Sequence, residues 1–377
     1  MSLAAGAHRL PRAISLPQIL LLAVLAAALF ERAWIDTAPD VSWLLTLGEK
    51  MLAGERPYID FIEVNPPASI YIYIPAILLA RLTGVSPEFT VGLLIFAGVA
   101  ASLWMSLRTM LEAGVLRAEQ AGWIAAIFSA VLLVLPAATF AQREHVALIS
   151  FLPMLATSTL RADGKPVAWH WVIIAGLGAG ITVIIKPHFV FAVLFTSAAT
   201  AICARSKRPL FAFENWIAAS LAAVYGAAVI ILYPAFMHDI VPMVMAVYVS
   251  QKASWFDLLT LGAIPFWCGA LLVIVALKRV DAFAPPFVPL LAASAGFLIA
   301  FAVQQKGLNY HSYPMLALIL AAAMIAILDG AAPVANRLIP LGGAAAIAAI
   351  CIATFSWYNS SIVDLRGLAA PIEASVS

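Results

Sequence analysis

The feature that most constrains this chain is a series of apolar runs, each about 20 residues long, that repeats along nearly its whole length. Such a run is long enough to cross the hydrocarbon core of a membrane as a helix. Only 11% of the residues are charged, against about 25% in a soluble domain. Because so much apolar surface cannot be hidden from water, the sequence predicts an all-α, polytopic integral membrane protein.

About eleven of these runs qualify as membrane spans by length and composition. They cover residues 14–31, 88–107, 120–141, 145–160, 168–185, 188–204, 214–236, 256–277, 284–303, 311–328 and 338–357. The first of them follows Arg9 and Arg12 and lacks a small-residue cleavage site, so we interpret it as a retained span. Residues 1–357 are expected to form a single transmembrane domain, and residues 358–377 a short tail on the outer face.

The segment 66–83 decides the topology, because it begins with two prolines, contains Pro75 and is short for a span. Lys and Arg concentrate in cytoplasmic loops. If the N-terminus is cytoplasmic and this segment lies in the outer interface, twelve of the 21 Lys and Arg residues face the cytoplasm. If the segment crosses the membrane, only eight do. We therefore expect a first outer loop over about residues 32–87 that contains horizontal amphipathic helices.

In this topology every unusual polar cluster faces outward. These clusters cover residues 35–40, 61–67, 142–145, 185–188 and 304–311. The cytoplasmic loops, in contrast, are short, and Lys and Arg are their characteristic polar residues. Ionisable groups at membrane depth are costly and usually indicate a site, so the pattern favours a polar site assembled from several outer loops.

Three carboxylates are the candidates for acid–base chemistry. Asp40 follows Pro39 at the start of a helix whose apolar residues recur at helical spacing. It could cap that helix or act as a general base at the membrane surface. Asp36 is the second candidate in the same loop. Glu144 could simply pair with its neighbour Arg143 at a helix end, or it could belong to the site.

Three cationic groups, Arg143, Lys186 and Lys306, stand at separate outer helix ends. Four imidazole or phenol side chains accompany them: His145, His188, Tyr310 and His311. Any one of these groups alone could snorkel to the interface or anchor a helix there. Together, the cations are suited to an anionic group, above all a phosphate or pyrophosphate. Metal ligation is not expected, because no two of the histidines share a helical i, i+4 spacing.

The stretch "EVNPP" places Glu63 and Asn65 directly before two prolines. It could be a rigid turn whose polar residues face water, or the prolines could hold both side chains against a bound head group. Further along the chain, Tyr248 and Lys252 could overlook the site from another outer turn.

Other features of the sequence are structural or exclude functions. Gly176, Gly178 and Gly180 put small residues on one span and predict close helix packing. The three cysteines lie inside apolar runs and are expected to be core residues. The basic residues are scattered singly, which argues against a nucleic-acid partner.

The outer-loop residues resemble the start of the GT-C superfamily, polytopic membrane glycosyltransferases that include protein mannosyltransferases and lipid A aminoarabinose transferases. The similarity lies in an Asp after the first span, the helix "LLTLGEKMLAGERPYIDF" and the Pro-Pro segment, and it covers about residues 1–160. In that family a second acidic residue lies where the third span meets the fourth, which is Glu144 here. This chain departs from the family in having no paired acidic motif at that position.

The resemblance implies transfer of a sugar from a polyprenyl-phosphate donor to a glycan, lipid or protein acceptor, at the outer face of a bacterial inner membrane. Asp40 would be the base of an inverting displacement, Glu144 would assist, and no cofactor or metal is implied. Arg143, Lys186 and Lys306 would hold the donor phosphate, with Tyr310 and His311 nearby. Two alternatives remain open: a membrane transporter or lipid flippase, and a non-catalytic subunit of an envelope-polysaccharide complex.

Overall fold

The computed structural model describes residues 14–260, 262–278 and 287–330, and no strand occurs among them. The α-helices are α1 (Leu16–Trp34), α2 (Pro39–Leu52), α3 (Ala68–Tyr71), α4 (Ile74–Thr83), α5 (Pro87–Glu112), α6 (Ala118–Ser129), α7 (Arg143–Ala162), α8 (Trp169–Ile185), α9 (Val190–Cys203), α10 (Phe213–Leu232), α11 (Val241–Met243), α12 (Trp255–Thr260), α13 (Ala263–Lys278), α14 (Val288–Gln304) and α15 (Asn309–Gly330). Short π- or 3₁₀-helical segments lie at Ala130–Val134, Ala137–Thr139, Pro187–Phe189, Arg208–Phe211, Phe236–Ile240 and Val244–Tyr248.

The apolar helices match the predicted spans. Within the described ranges, six helical stretches are long and apolar enough to cross a membrane: Leu16–Trp34, Pro87–Glu112, Arg143–Ala162, Phe213–Leu232, Trp255–Leu277 and Asn309–Asp329. Four further predicted spans coincide with shorter apolar helices, at Ala118–Val134, Trp169–Ile185, Pro187–Cys203 and Val288–Gln304. The predicted span at 338–357 and the tail lie outside the described residues. The protein is thus an all-α, polytopic membrane protein, whereas the exact number of crossings stays a prediction.

The doubtful segment 66–83 is a broken helix. It forms the short α3 and then α4, with the interruption at Ile72 and Tyr73. Pro75 occupies the first turn of α4, where its missing N–H removes no helical hydrogen bond. The segment packs against α2 and α5, and its predicted position in the outer interface remains a prediction.

Helix α7 is the centre of the bundle. Seventeen of its 20 residues are buried, and it contacts α5, α8, α9, α14 and α15. Its C-terminal end carries an ion pair between the partly exposed Arg161 and the buried Glu214 of α10. Because neighbouring helices surround its length, polar groups on α7 can meet a ligand only near its ends.

Glycines set the distance between α8 and its neighbours, as predicted. A Cβ atom at Gly176 would lie 2.7 Å from Ile217 Cβ on α10. A Cβ atom at Gly178 would lie 2.1 Å from the carbonyl oxygen of Ser150 on α7. Since a backbone oxygen cannot be moved aside as a flexible side chain can, Gly178 fixes the approach of α8 to the central helix.

Gly178→Ala should therefore destabilise the protein, because overpacking of this kind costs about 1–3 kcal/mol. The measurement is the thermal unfolding temperature in detergent. Gly226→Ala on α10 is the matched control, since no described atom outside its own stretch of helix lies within 4 Å of the position its Cβ would take. An unchanged unfolding temperature for Gly178→Ala would contradict the close packing of α7 on α8.

Candidate functional site

The first turn of α7 carries a buried ion pair. Glu144 is 1% exposed, and its Oε1 accepts a hydrogen bond from the Lys186 ammonium. His311 Nε2 lies 3.6 Å from the same oxygen. Glu144 Oε2 is also buried and has no hydrogen-bond partner in the described part of the chain. Of the two alternatives for Glu144, the pairing with its neighbour Arg143 does not occur: Glu144 pairs with Lys186, which follows α8.

Lys186 reaches Glu144 because α8 ends one residue before it. Lys186 is the C-cap of α8 with an extended backbone (φ −144°, ψ 110°), and Pro187 then begins a short 3₁₀ turn into α9. Burial lowers the pKa of the Lys186 ammonium, and the neighbouring Glu144 carboxylate opposes that shift. The Lys186 Nζ also lies 5.6 Å from the centre of the Tyr310 ring.

Arg143 faces a different side of the first turn of α7. It is 7% exposed, and its Nη1 lies 3.4 Å from Ser69 Oγ, a fully buried hydroxyl in α3. The segment after the two prolines thus meets α7 through Ser69. We call Arg143, Glu144, Lys186 and His311 the charged cluster.

Asp40 lies within electrostatic range of this cluster. Its charge acts on Lys186 and on the Tyr310 phenol, as those of Arg143 and Glu144 also do. It is not the N-cap of α2, as one alternative proposed, because the cap is Ala38 and Asp40 is the second residue of the helix. Its carboxylate is half-buried, and within the described ranges it accepts no hydrogen bond. Asp40 is therefore available to a ligand.

Asp36 has no such connection. It is exposed in the link between α1 and α2. Across the described residues, no hydrogen bond or ion pair joins it to the charged cluster. The charges of Asp40 and Glu144 both act on Lys186 and Tyr310, whereas Asp36 has no such link among the described residues.

Glu63 and Asn65 form the rigid turn. Glu63 is 3% exposed, and its carboxylate accepts hydrogen bonds from Trp43 Nε1 at 2.9 Å and from the Asn65 N–H at 2.8 Å. The Tyr58 hydroxyl donates to the Asn65 carbonyl at 2.7 Å, and burial raises the pKa of that phenol, which keeps it protonated. Both predicted ligands are thus engaged in holding the loop.

Lys306 is a neighbour of the cluster with partners of its own. Its ammonium donates to the carbonyls of Tyr248 and Gln251 and lies 3.9 Å from the centre of the Tyr248 ring. The charges of Arg143, Glu144 and Asp40 act on the Tyr248 phenol. Lys306 therefore holds a turn that lies within electrostatic range of the cluster.

The three predicted histidines differ in position. His311 belongs to the cluster, and its Nδ1 is buried without a hydrogen-bond partner among the described residues. His188 lies within electrostatic range of Lys186 and Arg143. Its Nε2 is also buried without a hydrogen-bond partner among the described residues. His145 was predicted to bind substrate, but it is fully buried and its Nδ1 accepts from the Ala141 N–H at 3.1 Å. Its ring packs against Phe140 and Tyr313, and among the described residues it makes no hydrogen bond to the charged cluster.

This arrangement can hold an anion next to carboxylates. Two buried cations, Arg143 and Lys186, stand beside unpartnered nitrogens of His188 and His311. A buried polar atom without a partner is unfavourable unless a ligand or water completes it. Within the described part of the chain, no three His, Cys, Asp or Glu side chains are grouped so that they could hold a metal ion.

Comparison with known proteins identifies the fold. No family model and no curated protein matches the sequence. Among solved structures, the chain is similar to ArnT from Cupriavidus metallidurans bound to undecaprenyl phosphate, with a TM-score of 0.58 at 15% identity. The similarity covers 94% of this chain, which spans 64% of the length of the ArnT chain. The chain therefore shares the membrane fold of ArnT, and this similarity supports the GT-C-type fold that the outer-loop motifs predicted.

Proposed function

We propose that this protein is a glycosyltransferase that moves a sugar from a polyprenyl-phosphate donor to an acceptor hydroxyl. The observation that carries the proposal is the charged cluster at one end of the central helix, with the half-buried Asp40 within electrostatic range. The similarity in fold to ArnT, which was crystallised with undecaprenyl phosphate, supports a lipid-phosphate ligand. The sugar and the acceptor are left open.

In the proposed reaction, Arg143 and Lys186 bind the phosphate of the donor. The acceptor hydroxyl attacks the anomeric carbon while its proton passes to Asp40, which acts as general base. The bond between the anomeric carbon and the phosphate oxygen breaks, and the phosphate leaves as an anion that the two cations stabilise. Because attack and departure occur on opposite faces of the sugar, the anomeric centre is inverted.

Glu144 has a supporting role in this scheme. Its Oε1 orients the Lys186 ammonium and balances its charge before the donor arrives. A buried lysine without a partner would tend to lose its proton, so Glu144 keeps this cation charged for the phosphate. Tyr310 and His311 line the same space.

The direct test combines cells and purified protein. In a deletion strain, mass spectrometry should show that a sugar is missing from a surface glycan or lipid and that its lipid-linked donor accumulates. Purified protein should bind undecaprenyl phosphate in native mass spectrometry, and Lys186→Gln, which can still donate to Glu144, should weaken that binding. Lys165→Gln, an exposed lysine after the other end of α7, is the control. Unchanged glycans together with unchanged binding in Lys186→Gln would refute the proposal.

The proposed topology puts the charged cluster on the outer face of the inner membrane. In a variant without native cysteines, Asn309→Cys should react with an impermeant maleimide added to intact cells, because this exposed residue begins α15 next to the cluster. Lys207→Cys should react only after the membrane is permeabilised. Labelling of position 207 from outside would place the proposed site on the cytoplasmic side.

A further inference from the structure

The turn that leads into α7 has an unusual backbone. Ala137 and Ala141 both adopt positive φ angles, 45° and 64°, in the left-handed region that residues with a Cβ atom seldom occupy. Neither position is a glycine, so surrounding contacts must hold this conformation in place. Gln142, the N-cap of α7, follows directly, and the turn therefore determines how Arg143 and Glu144 are aimed.

Side chains from three helices hold this turn. Arg32 of α1 donates to the Ala137 carbonyl at 2.9 Å, and its guanidinium lies 4.4 Å from the centre of the Phe140 ring. The hydroxyl of Tyr73, at the start of α4, donates to the Ala141 carbonyl at 2.8 Å. His145 Nδ1 accepts from the Ala141 N–H at 3.1 Å. Both backbone groups of Ala141 are thus bound by side chains.

His145 is built into this position. It is fully buried, and its ring packs edge-on against Phe140 and Tyr313, with centroid distances of 5.1 Å and 5.4 Å. To accept the Ala141 N–H, its Nδ1 must be unprotonated, so the imidazole is neutral with its proton on Nε2. One residue along a helix turns the side chain by about 100°, which explains why His145 faces the turn while Glu144 faces Lys186.

We propose that His145 is a positioning residue for sugar transfer. Together with Tyr73 and Arg32, it locks the left-handed turn at Ala141 and so fixes the direction in which Arg143 and Glu144 face the donor phosphate. This inference rests on the proposed function, and it replaces the role of substrate ligand for His145. Misplacement of a reacting group by about 1 Å can cost on the order of 100-fold in rate.

The test compares two substitutions at position 145, each of which introduces a side-chain amide. His145→Asn places an amide oxygen next to Cγ, where Nδ1 lies, and can still accept the Ala141 N–H. His145→Gln places its amide at the distance of Nε2 and cannot. His170→Gln, at an exposed position of α8, is the matched control. Two measurements are made: hydrogen exchange of the amides of residues 137–145, and binding of undecaprenyl phosphate with sugar transfer.

We expect His145→Gln to speed exchange at Ala141 and the start of α7 and to lower transfer about 10- to 100-fold, with His145→Asn close to wild type in both. Tyr73→Phe should give a smaller defect, and it stands in for His145→Gln if that variant does not fold. Unchanged exchange in these variants would overturn the lock, and faster exchange with unchanged transfer would overturn its role in positioning. A wild-type protein that neither binds the lipid phosphate nor transfers sugar would refute the proposed function instead, and exchange would still decide whether the lock exists.

Discussion

Replacing Glu144 with Gln should both abolish sugar transfer and destabilise the protein. Glu144 is 1% exposed and shares a hydrogen bond with the buried Lys186 ammonium. Removing one partner of a buried ion pair leaves the other charge uncompensated, at a cost of about 3–5 kcal/mol. The unfolding temperature in detergent should fall by several degrees. Transfer should drop by about 100-fold or more, because Lys186 is no longer oriented toward the donor phosphate.

A double variant separates the two effects. Glu144→Gln combined with Lys186→Met removes both charges, so much of the lost stability should return. Transfer should stay absent, since the cation that binds phosphate is gone. Normal stability in Glu144→Gln would contradict the buried pair, and normal transfer in the stable double variant would contradict the role of both residues in the reaction.

The helices of the bundle were predictable from the sequence because they depend on long apolar runs. The predicted span at 120–141 shows where that reasoning fails. The helix there ends in a π-helical turn at Ala130–Val134, followed by Pro136 and the left-handed Ala137. Apolar composition continues past this point, so hydropathy extends the span. Tertiary contacts of Arg32, Tyr73 and His145, to which hydropathy is blind, stabilise the alternative backbone.

Which residues belong to the site was easier to predict than which residue each of them contacts. Glu144, Lys186 and His311 stood out as ionisable groups at the ends of apolar runs, and the structure joins them. The alternative in which Arg143 pairs with Glu144 does not occur, because adjacent helical residues do not face each other. Arg143 turns instead to Ser69. A single serine in an apolar segment gives no sequence signal, and neither does the bond from Tyr73 to a backbone carbonyl.

Asp40→Asn should abolish transfer and leave the fold intact. The Asp40 carboxylate accepts no hydrogen bond in the described part of the chain, and it is the second residue of α2. Its structural contribution is thus that of its charge alone, which acts on Lys186 and on the helix N-terminus, the latter worth about 0.3–1 kcal/mol. Loss of a general base, in contrast, costs a factor of about 100 to 10,000 in rate. Binding of undecaprenyl phosphate should persist, because Arg143 and Lys186 are unchanged.

Asp36→Asn is the matched control, since Asp36 is exposed in the same loop and nothing described joins it to the charged cluster. Transfer, unfolding temperature and lipid-phosphate binding are measured for both variants. Near-normal transfer by Asp40→Asn would remove Asp40 from the reaction. If Asp36→Asn alone lost transfer, the base would be Asp36, and the link between α1 and α2 would have to close over the cluster during the reaction. Loss of transfer in Asp40→Asn with normal stability, beside an unstable Glu144→Gln, would assign the two carboxylates their different roles: one takes the proton and the other holds the cation.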